Sequence, residues 1–110
     1  MKILMITIFA SLFASQSYAG QLTSQGTITR VTTGSQQQVR VSFSAGIINP
    51  DGCQASNFYI LELKDDLTSQ RLYSAVLTAN ASKQKVSFFI HSCASFSGKT
   101  YPKIHAVHAH

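Results

Sequence analysis

The sequence of 110 residues contains no tryptophan and only four acidic residues, against nine lysines and arginines. General acid–base catalysis depends on positioned ionisable side chains, often carboxylates held apart in separate roles. The carboxylates are Asp51, Glu62, Asp65 and Asp66. The last two are adjacent, and no pair is spaced in a way that suggests an acid and a base. The sequence therefore predicts a protein that is not an enzyme.

Cysteine is equally scarce, because Cys53 and Cys93 are the only two. Cys93 follows His91 and Ser92, a nucleophile-and-base pattern, but neighbouring side chains in a strand point to opposite faces. An exported protein with two cysteines most simply joins them in one disulfide. Closing a loop of that length contributes roughly 4 kcal/mol in the chain-entropy model. We therefore expect a disulfide between Cys53 and Cys93.

The chain has one long apolar run, at residues 3–14, behind Lys2 and ahead of the small residues that end at Ala19. This order is typical of a secretory signal peptide that is cut after a small residue. An uncleaved anchor is the alternative, but the run is shorter than the roughly 20 residues that span a bilayer. We predict a signal peptide at 1–19, a single domain at 20–110, no later membrane-spanning segment, and a secreted or periplasmic location.

The excess of basic residues suits anionic partners such as lipid headgroups, sulfated or sialylated glycans, or nucleic acid. The cations are scattered along the chain and form no run. Solubility is the simpler interpretation of such a pattern.

Five segments have the β-branched, aromatic or alternating pattern of strands. They lie at residues 26–33, 39–44, 58–63, 85–91 and 103–110. Residues 20–25 are polar and predicted to fray, and residues 95–102 are predicted to form a loop. Within the strands, two sets of apolar side chains each share one face: Val39, Val41 and Phe43 in one strand, and Val86, Phe88 and Ile90 in another.

One convincing helix follows the leader, at residues 68–83. Its apolar arc at about 100° per residue consists of Leu72, Tyr73, Val76, Leu77 and Ala79. Thr68 or Ser69 can cap its first amides, and the two aspartates before it suit the positive end of the helix dipole. The pattern predicts an amphipathic helix that lies on a sheet.

The expected disulfide constrains the topology. Its Cα atoms must lie within about 7 Å of each other, whereas a parallel crossover would leave the cysteine-bearing ends about 20 Å apart. The third and fourth strands should therefore run in opposite directions, with the helix joining their far ends. The resulting prediction is a mainly β protein with one helix, built as a five-stranded OB-type barrel with the helix between strands three and four.

Several short motifs carry a resemblance to a known group of proteins. They are Gly-Thr-Ile-Thr-Arg-Val at 26–31, Cys53 before Asn-Phe-Tyr-Ile-Leu at 57–61, Leu-Tyr-Ser-Ala-Val-Leu-Thr-Ala at 72–79, Ser-Lys-Gln-Lys-Val at 82–86, and Cys93. Together they resemble small exported bacterial proteins and, in the order of features, the B subunit of subtilase cytotoxin and related pentameric toxin B subunits. The resemblance implies an OB fold, glycan recognition and a homo-oligomer.

Aromatic and basic residues near the end of the chain are the candidate ligand-binding residues. They are Phe89, His91, Phe96, Lys99, Tyr101 and Lys103. Exposed aromatics beside cations can stack on sugar rings or bases, as OB folds commonly do on their open face. Alternatively, Phe89 packs under the helix or against another subunit, because buried phenylalanine is common.

Three histidines lie close together at the end of the chain: His105, His108 and His110. In a strand, His108 and His110 point the same way and could share a zinc or copper ion, with a third ligand from elsewhere. The alternative is a solvated strand end, since metal sites usually need three or four ligands.

The sequence thus predicts an exported binding module with no cofactor, recognising a glycan or another cell-surface ligand. The alternatives are a periplasmic metal-binding protein that uses the terminal histidines, and a nonspecific binder of single-stranded nucleic acid.

Overall fold

The computed structural model describes residues 20–34 and 37–110, so the predicted signal peptide lies outside the described residues. The protein is mainly β, with one helix and a six-stranded sheet. In chain order the elements are β1 (Gln21–Leu22), β2 (Ile28–Thr33), β3 (Gln38–Phe43), β4 (Tyr59–Glu62), α1 (Leu67–Ser82), β5 (Val86–Phe96) and β6 (Lys99–Ala109). No helix in this part of the chain is both long and apolar enough to span a bilayer.

The sheet has the strand order β1-β5-β6-β4-β3-β2, so β1 and β2 are its edges and the sheet is open. Strand β4 pairs parallel to β6, and β5 pairs antiparallel to β6. Strands β4 and β5 therefore run in opposite directions, as the disulfide argument predicted. The disulfide itself is confirmed: it joins Cys53 to Cys93, whose Cα atoms are 5.8 Å apart.

The number of strands corrects the prediction of five. The sixth strand, β1, lies in the segment that was expected to fray, and its two residues pair with Ile90 and Phe89 of β5. Just after it, the Thr23 N–H donates to the Phe88 carbonyl, and Thr23 Oγ1 accepts from the Phe88 N–H. Backbone pairing of this kind needs no apolar side chains, so the sequence pattern of the segment did not reveal it.

The predicted loop at 95–102 is also wrong. Strands β5 and β6 are each 11 residues long and form a hairpin in which Phe96 pairs with Lys99. The turn residues Ser97 and Gly98 have φ values of 50° and 83°. Two positive φ angles are what the preferred type I′ hairpin turn requires, so the strands continue up to the turn.

The core lies between helix α1 and the inner face of the sheet. Its buried residues are Ile28, Val39, Val41, Phe43, Tyr59, Leu61, Val76, Ala79, Val86, Phe88, Ile90 and Ile104. They include both of the apolar sets that strand alternation predicted. The rings of Phe43, Tyr59 and Phe88 pack together, with Phe88 4.7 Å from Phe43 and 5.7 Å from Tyr59 between ring centroids.

The helix is close to its predicted range, but its start and its buried face differ. Asp66 is the N-cap, and its carboxylate accepts a 2.8 Å hydrogen bond from the Ser69 N–H. Ser69 is instead buried, and its hydroxyl accepts from the Lys64 N–H. Leu77, predicted on the apolar arc, is 41% exposed, whereas Val76 and Ala79 are buried. The part of the helix that is buried against the sheet is therefore narrower than the apolar arc predicted from the sequence.

Candidate functional site

The face of the sheet turned away from helix α1, called the outer face here, carries most of the chemistry. Alternation along β6 sends Pro102 and Ile104 into the interior, and both are buried. Residues with the opposite parity point outwards. The outer face comprises Arg40 of β3; Phe58, Ile60 and Glu62 in and beside β4; and Tyr101, Lys103 and His105 of β6.

Three rings form an aromatic cluster on this face: Phe58, Phe96 and Tyr101. Phe58 and Tyr101 are stacked, with 4.5 Å between centroids and an interplanar angle of 12°. Phe96 stands edge-on to both, 6.0 Å from each centroid. All three rings are half-buried. Offset-stacked and edge-to-face pairs are favourable beyond the area they bury, so the three rings support one another and form an apolar platform that is partly open to solvent.

A guanidinium group covers one side of the aromatic cluster. The Arg40 Cζ lies 5.5 Å from the ring centroid of Phe58 and 5.5 Å from that of Phe96. Both distances are within the range of a cation–π interaction. Arginine is the cation best suited to this position, because its flat group stacks on rings and retains in-plane hydrogen-bond donors. The platform therefore combines ring surfaces with a fixed positive charge.

Ile60 shows how closely the outer face is packed. It pairs in register with Arg40 on one side and Lys103 on the other. Although it points away from the core, it is fully buried. Long cationic side chains cover apolar surface with their stems while their charged ends remain in water. The outer face thus has a buried apolar residue next to the sheet and cationic groups on its solvent side.

The loop before β4 holds Phe58 against Tyr101. Gln54 and Ala55 dock on Thr100 of β6: the Gln54 N–H donates to the Thr100 hydroxyl, the Thr100 N–H donates to the Gln54 side-chain oxygen, and the Ala55 N–H donates to the Thr100 carbonyl. The disulfide fixes the same loop one residue earlier, at Cys53. The hydrogen bonds to Thr100 and the disulfide together hold the ring of Phe58 in place.

Lys103 lies in the centre of the outer face and forms an ion pair with Glu62, at 3.4 Å between Nζ and Oε1. Beside the pair is a groove of about 200 Å³ whose walls include Lys64, His105 and the first turn of the helix. Asp66 also lines it. Its bonds from the Ser69 backbone N–H and side chain hold the pKa of that carboxyl below its ordinary value. The groove has both polar and apolar walls and bears both signs of charge.

A second group of rings lies further along β5 and β6. His91 is 5.7 Å from His105 and 6.4 Å from Phe89 between ring centroids, and Phe89 is 6.1 Å from His105. Phe89 is half-buried among these rings. It therefore does not pack under the helix, which was one of the two alternatives for it.

The structure divides the predicted ligand-binding residues between these groups. Phe96 and Tyr101 belong to the aromatic cluster, and Lys99 is exposed at the end of the same hairpin. Phe89 and His91 belong to the second ring group. Lys103 lies between the two, paired with Glu62.

The three C-terminal histidines do not form one cluster in the described part of the chain. His105 contacts His91 and Phe89, whereas the His110 ring lies within 2.9 Å of the Ser87 hydroxyl and 3.4 Å of the Gln25 amide. His108 is exposed and pairs with Ser87 in register. Across residues 20–34 and 37–110, no group of three or more His, Cys, Asp or Glu side chains is arranged to hold a metal ion. The parity of His105 in β6 sends it to a different face from His108 and His110.

Ser87 and His110 form a pair that resembles a nucleophile and its base, which the sequence did not suggest. However, Ser87 is almost completely buried. The other ring nitrogen of His110 faces the Gln25 amide, not a carboxylate that would orient it as a base. The contacts of His110 instead tie the end of the chain to β5 and to the segment between β1 and β2.

Sequence reasoning missed two residues of the platform, Arg40 and Phe58. A signal existed for Arg40, because it alternates with the buried Val39 and Val41. For Phe58 the signal was weaker, since it lies in an apolar run and only its register against β6 assigns it to the aromatic cluster.

No protein-family model matches the chain, and neither a curated protein nor a solved structure matches it significantly.

Proposed function

We propose that this protein is an exported, non-catalytic binding module that recognises glycans at a cell surface through the outer face of its sheet. The observation that carries the proposal is the stacked pair of Phe58 and Tyr101 with Arg40 over the cluster. A half-exposed aromatic platform beside a fixed cation offers both the flat apolar surface and the hydrogen-bond donors that a sugar ring needs.

The proposal includes an OB-type arrangement of the strands. Five strands of four or more residues, with the helix between β4 and β5, follow the OB element order. Two hydrogen bonds between Gly26 and Val86 bring the chain before β2 alongside β5. This contact supports a sheet that curls towards a partly open barrel, the form that OB folds take.

The position of the outer face fits that arrangement. OB folds bind ligands on the face of their second and third strands and with the loops that join strands one to two and four to five. With β2 counted as the first strand of the barrel, these correspond here to β3, β4 and the β5–β6 turn. Arg40 lies on β3, Phe58 beside β4, and Phe96 and Lys99 flank the turn. This correspondence supports the proposal that the aromatic cluster is the ligand-binding surface.

In the proposed mechanism the apolar face of a pyranose ring lies on the exposed part of the aromatic cluster. Arg40, Lys99 and Lys103 donate hydrogen bonds to its hydroxyl groups or to an acidic substituent. The ion pair with Glu62 fixes the Lys103 ammonium group over the sheet. No covalent step is involved, which agrees with the small number of carboxylates in the sequence.

A glycan array probed with the oxidised, exported protein tests this proposal. We expect a defined set of glycans to bind, and Tyr101→Ala to weaken their binding about 5- to 150-fold, the equivalent of one stacking contact. Tyr73→Ala is the matched control, because Tyr73 lies on the helix and its hydroxyl bonds to Thr33. A blank array, or equal losses in the two variants, would contradict the proposal.

Single-stranded nucleic acid is the second candidate, because stacked rings beside Arg40 and Lys103 also suit bases and phosphates. Titration with a short labelled oligonucleotide distinguishes the two. Binding to phosphates releases counterions, so its affinity falls steeply as salt rises, whereas binding to a neutral glycan changes little. An oligonucleotide affinity that ignores salt would remove this candidate.

A further inference from the structure

Gly20 packs against the rings of Phe89 and His91 with no room for a side chain. A Cβ atom built on Gly20 would lie 2.8 Å from Phe89 Cζ and 3.2 Å from His91 Nδ1, and the residue has a φ of 107°. Only glycine accepts both the contact and the dihedral angle. The sequence places this residue immediately after the predicted cleavage position at Ala19.

The neighbouring His91 has an unusual nitrogen. Among the buried side-chain nitrogen and oxygen atoms of residues 20–34 and 37–110, His91 Nδ1 is the one without a hydrogen-bond partner. Buried polar atoms in native proteins are almost always paired, because an unpaired one loses its bonds to water without replacement. The neighbouring rings of Phe89 and His105 make no hydrogen bond to this nitrogen. The backbone of Gly20 lies beside it.

We propose that cleavage between Ala19 and Gly20 supplies the missing partner: the α-ammonium group of Gly20 donates a hydrogen bond to His91 Nδ1. This inference is independent of the glycan proposal. The cleavage is a peptide hydrolysis by a leader peptidase of the export machinery. Water adds to the Ala19 carbonyl, the C–N bond to Gly20 breaks, and Ala19 leaves as a carboxylate. The freed nitrogen of Gly20 takes up a proton.

The geometry follows from the substituents on the Gly20 Cα atom. In an uncut chain the nitrogen is tied to the preceding residue. After cleavage, rotation about the Cα–C bond, a soft backbone torsion, by about 120°, the angle between substituents of the tetrahedral Cα viewed along that bond, moves the nitrogen to the place where a Cβ atom would lie. That place is 3.2 Å from His91 Nδ1, within the range of a protein hydrogen bond. A small shift of the flexible Phe89 side chain relieves the close contact with its Cζ atom.

The bond would join the new amino terminus to the edge of the sheet. Gln21 and Leu22 already pair with Ile90 and Phe89 of β5, and the ammonium group adds a contact to the residue that follows them, His91. Processing therefore completes the packing of β1 in addition to releasing the protein from its leader.

The experiment uses the full-length chain expressed in a secreting host. The exported protein should have an intact mass that begins at Gly20, and its ¹⁵N spectrum should show His91 with Nδ1 as an acceptor and the proton on Nε2. A second form carries one threonine inserted between Ala19 and Gly20, with its start checked by mass. We expect its Tm to be about 4–8 °C lower, the shift that one lost hydrogen bond produces in a domain of this size.

A double-mutant cycle separates this bond from a general effect of the inserted residue. In a His91→Phe background, which keeps a planar ring and removes Nδ1, the insertion should leave Tm unchanged. A mass that begins at another residue, a protonated or donating Nδ1 in the native exported protein, or an equal loss of Tm in both backgrounds would overturn the proposal. The spectrum of the native protein decides the question even if His91→Phe fails to fold.

Discussion

Replacing both Cys53 and Cys93 with alanine removes a bridge between residues 40 positions apart in the sequence. In the chain-entropy model, closing a loop of that length lowers the free energy of folding by about 4 kcal/mol at 25 °C. Domains of this size have a total stability of about 5–15 kcal/mol. We therefore expect the double variant to lose a large fraction of its free energy of unfolding and to remain marginally folded.

Noncovalent contacts determine how much native structure survives this change. The Ser92 N–H donates a 2.6 Å hydrogen bond to the Asp51 carboxylate, and Gln54 and Thr100 bond to each other twice through backbone and side chain. These bonds tie the same loop to β5 and β6 without sulfur. The folded variant should therefore keep the stacking of Phe58 on Tyr101, and the loss should arise mainly in the unfolded chain.

Urea unfolding followed by far-UV circular dichroism measures the effect. The double variant should lose about 4 kcal/mol and show an equal or larger m-value, because its unfolded chain is less compact. Wild-type protein treated with a thiol reductant should give the same free energy as the variant. A loss below about 1 kcal/mol, the scale of a single hydrogen bond, would refute the claim that the bridge stabilises the fold through loop closure.

Three further substitutions test the core and the helix. Phe88→Ala, at the centre of the packed rings, should lower the free energy of unfolding by about 3–5 kcal/mol in urea, and a loss under 1 kcal/mol would place Phe88 outside the core. Tyr59→Phe leaves the Ile48 N–H without its 2.9 Å acceptor and should cost about 1–3 kcal/mol. Burial raises the pKa of Tyr59 above 10.0, so the folded state holds this proton more tightly than the unfolded state. Wild-type stability should therefore fall as pH rises past about 10 towards the raised pKa, a decline that Tyr59→Phe should lack. Asp66→Ala should reduce helicity and Tm, whereas the neighbouring Asp65→Ala should not. Because hydrogen bonds from Ser69 lower the pKa of Asp66, its contribution is complete above its ordinary pKa of 3.8 and is lost as pH falls through the lowered value. Equal melting curves for these two variants at pH 7 would contradict the assignment of Asp66 as the cap.

The sequence predicted those parts of the fold that depend on short-range patterns. Alternation identified the inner faces of β3 and β5, since Val39 and Phe88 each belong to a run with period two. One helix followed from its periodicity. The relative direction of β4 and β5 followed from a single covalent constraint, because a bridge between Cys53 and Cys93 is too short for a parallel crossover.

Features that depend on backbone geometry were not predictable in this way. Strand β1 is held by pairing with β5, and its two exposed residues, one polar and one apolar, are too few to give a strand pattern. Gly98 and Pro102 suggested a loop at 95–102, whereas the β5–β6 hairpin turns within two residues because Ser97 and Gly98 both have a positive φ. The helix begins one residue earlier than predicted because its N-cap is Asp66, which accepts from the Ser69 N–H, and not Thr68 or Ser69.

Of the four residues in the candidate site, the sequence predicted the two that are close together in the chain and missed the two that long-range strand pairing adds. Phe96 and Tyr101 are close in sequence and meet across a hairpin, so their association follows from local structure. Arg40 and Phe58 join them only through the register of β3, β4 and β6. Such register depends on long-range packing that a single sequence does not specify.

Chemical-shift mapping tests the central claim most directly. Isotope-labelled, oxidised protein is titrated with the glycan that gives the strongest array signal, and backbone amide shifts are followed residue by residue. Binding at the outer face predicts the largest changes at Arg40, Phe58 and Tyr101, with little change along the exposed side of the helix. Shifts centred on the helix, or no saturable shift with any glycan, would contradict the assignment of the outer face as a glycan-binding surface.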